Sequence, residues 1–192
     1  MKFLKTLLLF LSTTFVFGQE GIAPNYNRSN PGPTEERKTA SDNFLARSGT
    51  LIEKRFYEVG KINKGLVVSV VKLKDLNKNE GFCFLKLESN DLIGIKEGKA
   101  TLDEDEVDGF LKSLKLIKVT ILSTRDTYTE VVYNSRGYFS AGAYYEEKKQ
   151  RWKAFMQLQN YNNKTFMSLE VETIDALISL VEKAKEEMKI KI

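Results

Sequence analysis

The sequence predicts an α+β domain: antiparallel sheets built from two β4-α-like repeats, each ending in a helix packed on the sheet. Three observations carry that expectation. Short runs rich in Val, Ile, Phe and Tyr recur from about residue 50 onward, separated by polar joints. Two stretches break that rhythm with apolar residues at helical spacing. Three segments also occur twice, in the same order.

The strand candidates are Leu51–Val59, Gly65–Leu73, Gly81–Leu87, Tyr128–Tyr133, Gly137–Tyr145, Trp152–Gln159 and Thr165–Val171. Turn chemistry separates them, as in Asp75-Leu76-Asn77-Lys78-Asn79-Glu80, Asn134-Ser135-Arg136 and Asn160-Tyr161-Asn162-Asn163. In Leu66–Leu73 both alternating sets are apolar, Leu66/Val68/Val70 and Val67/Val71/Leu73. Such a strand is central, covered by a helix on one side and by a second sheet, a partner or a ligand on the other. Val107, Phe110, Leu111 and Leu114 mark the first helix. Ile174, Leu177, Ile178, Val181, Ala184 and Met188 form one stripe of the second, opposite the charged face Glu182, Lys183, Lys185, Glu186 and Glu187. A stripe this wide covers a sheet and leaves room for a homodimer.

The duplication is read from three pairs. Glu58-Val59 with Lys64-Gly65-Leu66 matches Glu130-Val131 with Arg136-Gly137-Tyr138. Phe84-Leu85-Lys86-Leu87 matches Phe155-Met156-Gln157-Leu158. Thr101-Leu102-Asp103 through Leu111 matches Ser168-Leu169-Glu170 through Ile178. A β4-α unit whose helix follows a hydroxyl residue, Leu and an acid resembles the single-stranded-DNA-binding regulators that include the Whirly proteins. The residues that carry the resemblance are Thr101-Leu102-Asp103 and Ser168-Leu169-Glu170, and it spans about residues 50–192. Gly98-Lys99-Ala100-Thr101-Leu102 echoes a Whirly segment that lies there on an early strand rather than at the approach to a helix. The resemblance therefore implies a fold and transfers no binding residue.

Residues 1–18 have the layout of a secretory signal peptide: Lys2 and Lys5, an apolar run from Leu7 to Phe17, then Val16 and Gly18 before a cleavage point at Gln19. The run is too short to span a membrane, which takes about 20 apolar residues, and no later run is longer. The protein is thus expected to be exported, periplasmic or secreted, without a transmembrane segment after cleavage. Residues 19–48 hold all three prolines and few apolar anchors, and read as a flexible N-terminal segment. Phe44 and Leu45 could dock a short helix within Thr34–Ala46. Residues 49–192 then form a single domain of two repeats, about 50–117 and 118–192.

Composition narrows the chemistry. Removing Lys2 and Lys5 from 30 basic and 26 acidic side chains leaves a net charge of only +2, which weakens any bulk attraction to polyanions. There is no His, which removes the commonest general base and most zinc sites. Cys83, the only cysteine, sits in an apolar run and reads as a buried small hydrophobe. No Gly-rich phosphate loop is present. The acid run Asp103-Glu104-Asp105-Glu106 with Asp108 invites a cation, but Asp103 and Glu106 have the spacing of a helix N-terminal capping pair, the preferred reading. Tyr144, Tyr145, Arg151, Trp152 and Lys153 join positive charge to aromatic faces and form the candidate binding surface.

The expectation is an exported, non-enzymatic binding or structural domain that needs no cofactor and binds an unnamed ligand or protein through its sheet face or a hairpin tip. A nucleic-acid-binding module of Whirly-like fold is the alternative, favoured by the resemblance and disfavoured by export and charge. A carboxylate-dependent hydrolase is third.

Overall fold

Alternation with a period of two sorts each unit's side chains onto the two faces of a four-stranded sheet. In the computed structural model, which describes residues 38–62, 65–89 and 98–190, the first sheet holds β1 (Ile52–Ile62), β2 (Leu66–Asp75), β3 (Glu80–Ser89) and β4 (Gly98–Asp103). The second holds β5 (Glu130–Asn134), β6 (Ser140–Glu146), β7 (Arg151–Gln157) and β8 (Phe166–Leu169). Both sheets are antiparallel and ordered as the chain runs. A helix follows each, α2 (Glu104–Thr120) and α3 (Thr173–Lys189), and a short helix α1 (Ala40–Leu45) precedes the first sheet. The expected signal peptide and most of the expected flexible N-terminal segment lie outside the described residues.

One core joins the inner faces of both sheets to both helices. Leu66, Val68 and Val70 of β2, Leu85 and Leu87 of β3, and Leu102 of β4 meet it from one side. Ala143, Tyr145, Trp152, Ala154 and Met156 meet it from the other, and the buried faces of α2 and α3, the latter the expected stripe, belong to the same cluster. Burying such side chains contributes about 1.5–3 kcal/mol each, so this layer is the main source of stability.

The two helices run antiparallel, with ion pairs Asp108–Lys185 at 2.6 Å, Lys115–Glu182 at 2.7 Å and Lys118–Asp175 at 2.6 Å. These pairs are exposed and contribute little energy; they mark the register. The units interlock: α3 follows the second sheet in the chain but packs chiefly on β1 and β2 of the first. Gly60, at the bulge of β1, makes this possible, because a Cβ there would stand 2.7 Å from Leu180.

The duplication has a structural counterpart. Phe84 and Phe155 both point outward from the third strand of their sheets, and Leu102 and Leu169 both point inward from the fourth. Two details differ from the sequence expectation. Residues 98–103 form β4, a strand where the reading had only the approach to a helix. And α2 starts directly after Asp103, whereas a turn separates Glu170 from α3.

The arm is tied down at its described end. Thr39 caps α1, its hydroxyl accepting from the Asp42 N–H at 3.1 Å while its own N–H reaches the Asp42 carboxylate at 3.2 Å. Phe44 then packs on Val71, Leu73 and Phe84, a small cluster on the outer face of the first sheet. That covers one half of the outer face of β2. On the other half Val67 and Ser69 stay half-exposed.

Candidate functional site

The five residues of the candidate surface do not form one surface. Trp152 and Tyr145 are cross-strand partners on the inner face, 7% and 1% exposed, ring centroids 5.4 Å apart, with the Trp152 indole N–H donating to the Ser123 carbonyl at 2.7 Å. Tyr144 points the opposite way, into an outer-face aromatic row with Tyr128 and Phe155. Arg151 is paired with Glu146 at 3.0 Å and Lys153 with Glu170 at 3.0 Å. Alternation along a strand sends neighbours to opposite faces, so Tyr144 and Tyr145 cannot share a ligand.

The acid run is engaged in holding the units together. Asp103 is buried; its two oxygens accept from the N–H groups of Ala40 at 2.7 Å and Ser41 at 3.1 Å and from Arg136 at 3.2 Å. The Asp103 N–H donates to Glu106 at 3.2 Å, as the capping spacing predicts, and Glu106 also accepts from the Arg136 N–H at 2.7 Å. Arg136 contacts Asp105 at 2.5 Å, and this guanidinium holds the Asp105 carboxyl below its usual range. Glu104 points elsewhere, 3.8 Å from the Cys83 thiol. Cys83 is half-buried rather than buried, and burial, with Glu104 second, pushes its thiol up to about 11, far from a reactive thiolate. Among the described residues no group of His, Cys, Asp or Glu is arranged to hold a metal ion.

A different place in the fold has the shape of a binding site. The outer face of the first sheet beside α1, with Val71, Leu73 and Phe84, forms the floor of a groove of about 610 Å³, and Thr39, Ser41, Asp42 and Leu45 line its α1 side. Lys54 and Phe56 of β1, Lys86 and Glu88 of β3, and Lys99 and Thr101 of β4 line it. Their register explains the meeting: Phe56 is opposite Val71, Lys86 opposite Ser69 and Thr101, Glu88 opposite Val67 and Lys99. Residues of one strand parity thus share the face, though Lys54 and Thr101 lie 47 positions apart in the chain.

The second unit supplies the facing wall. Gly137 and Tyr138 come from the β5–β6 turn, Gln159 and Tyr161 from the loop after β7. Tyr138 adopts φ 63°, a left-handed conformation that is costly for a bulky side chain and tends to occur where a site demands it. Its carbonyl accepts from the Asn160 N–H at 2.8 Å, and its ring meets Tyr161 edge-on at 5.7 Å. Gly137 lets this turn approach the first sheet, since a Cβ would lie 3.3 Å from the Thr101 carbonyl oxygen.

Phe56 is 62% and Tyr161 61% exposed, large apolar rings facing solvent in one groove. Lys86 is paired with Glu88 at 2.7 Å and lies 5.9 Å above the Phe56 ring. Lys54 and Lys99 have no carboxylate partner among the described residues. The sequence reading missed this site because each contributing residue, taken alone, is an ordinary surface residue. The available signal was the run of alternating Lys and aromatic positions Lys54/Phe56 and Phe84/Lys86.

Compared with known proteins, the chain matches no family model, and no curated protein or solved structure is significantly similar to it.

Proposed function

We propose that this is an exported, non-enzymatic binding domain that takes its ligand in the groove across the outer face of the first sheet. The observation that carries the reading is the meeting of Lys54, Lys99, Phe56, Tyr138 and Tyr161 around one open floor. The exposed rings of Phe56 and Tyr161 are available for stacking, and the ammonium groups of Lys54 and Lys99 for anionic groups. The acids that a hydrolase would need are occupied in capping helices and binding Arg136. That supports binding over catalysis.

A nucleic-acid-binding module is the second reading. It is favoured by lysines and aromatic rings sharing an exposed sheet face, the combination that holds single strands.

The test is an amide-shift map of the purified protein at low salt with three separate probes: oligo(dT), an oligogalacturonate and a poly-glutamate peptide. Shifts centred on 54–56, 86, 99–101, 138 and 161 are expected from at least one. Shifts confined to the β6–β7 hairpin tip, or none from any probe, would remove the groove as the binding site.

A further inference from the structure

We infer that the groove's ligand is an acidic oligosaccharide, a chain of pyranose rings carrying carboxylates; the inference rests on the groove being the binding site. Its charge pattern is sparse. Lys54 and Lys99 lie at diagonally opposite corners of the sheet, three strands and about six residues apart, which separates them by roughly 24 Å along the groove. Between them Lys86 is matched by Glu88 at 2.7 Å, and on the α1 side of the lining Lys38 is accompanied by a second acid, Asp42.

A nucleic-acid strand brings a phosphate at every nucleotide and is held by a groove that is positive along its length. Here Glu88 and Asp42 interrupt any such track. Arg, whose planar fork suits phosphate best, is absent from the lining. A glycan with spaced carboxylates meets no such conflict. Its anionic groups reach the lysines, and its hydroxyls donate to Glu88 and Asp42, which accept without requiring a cation.

The rings point the same way. Tyr138 and Tyr161 stand at 82° to each other, so they cannot continue a stack of parallel bases. Each can take the C–H face of one pyranose, whose weakly positive hydrogens are attracted to the electron-rich face of an aromatic ring. Phe56 offers a third such face on the opposite wall. The Thr101 hydroxyl and the Gln159 amide, also in the lining, both donate and accept, which is what hydroxyl-rich ligands need.

Calorimetry on the purified protein decides it, with hexagalacturonate, its methyl ester and oligo(dT) as probes. Hexagalacturonate is expected to bind, and its methyl ester more weakly by about tenfold, as loss of charge-assisted hydrogen bonds implies. Lys99→Gln and Tyr161→Ala, both exposed changes, should each weaken hexagalacturonate by about tenfold while leaving the urea unfolding midpoint unchanged. Binding of oligo(dT) without hexagalacturonate overturns the ligand class; if that binding still falls in both variants, the groove itself stands. Hexagalacturonate binding that ignores esterification also overturns the class. Binding that ignores both variants removes the groove along with it, and no hexagalacturonate binding at all overturns the inference.

Discussion

Asp103 accepts a hydrogen bond from Arg136 at 3.2 Å, across the junction of the two repeats, while the same carboxylate takes the N–H groups of Ala40 and Ser41. One buried side chain therefore fastens α1, the start of α2 and the β5–β6 turn that presents Tyr138. Asp103→Ala should cost about 2–4 kcal/mol in urea unfolding, because it removes the buried acceptor of the Ala40 and Ser41 N–H groups together with one of the contacts of Arg136. Arg136→Ala, whose side chain is 47% exposed, should cost less than about 1 kcal/mol. Amide exchange over Ala40–Leu45 should accelerate in the Asp103 variant. Wild-type exchange there would contradict this role.

Acid should weaken the fold through Asp75 and Asp105. The Thr50 hydroxyl, 2.5 Å away, and the N–H groups of Lys78 and Asn77 hold the Asp75 carboxyl below its usual range, against the opposing effect of burial. Arg136 does the same for Asp105. Both folded carboxyls hold their protons less tightly than in the unfolded chain. The stability they supply is therefore complete above the unfolded value of about 4 and is lost as pH falls toward the lower folded values. Urea midpoints measured between about pH 6 and pH 2 should fall more gently in Asp75→Asn than in wild type. Parallel curves would show that Asp75 is not a source of the acid sensitivity.

Two glycines should respond oppositely to Ala. A Cβ at Gly142 of β6 would collide with the Val131 carbonyl oxygen and come within 3.0 Å of the Phe155 ring. Gly142→Ala should therefore cost about 1–3 kcal/mol. Gly109 lies on the exposed side of α2 with nothing within 4 Å. There Gly109→Ala should gain about 0.5–1 kcal/mol, since Ala is the better helix former. Thermal melts of the two single variants check both signs.

The strands and helices were legible because alternation and helical spacing are local signals. The α3 stripe of Ile174, Leu177, Ile178, Val181, Ala184 and Met188 is buried as its spacing implies. β4 was not legible as a strand, for only Ala100 and Leu102 of its six residues carry an inner apolar pattern. The exchange that sets α3 on β1 and β2 depends on a bulge at Gly60, which no local pattern announces. The groove was hidden for a related reason: strand register sets residues 54 and 99 on one face, and the left-handed turn at Tyr138 brings residues 138 and 161 to its edge. The Tyr144-to-Lys153 surface failed on parity, which was available in the sequence: Trp152, Ala154 and Met156 share one face, Arg151, Lys153 and Phe155 the other.

The most direct test of the groove is lysine acetylation read by mass spectrometry, with and without the tightest-binding of the anionic probes. Lys54 and Lys99 should lose reactivity by about tenfold on ligand addition, as ammonium groups engaged by carboxylates do, while Lys148 and Lys164 react as before. Protection of Lys148 and Lys149 at the hairpin tip, with Lys54 and Lys99 unchanged, would contradict the account.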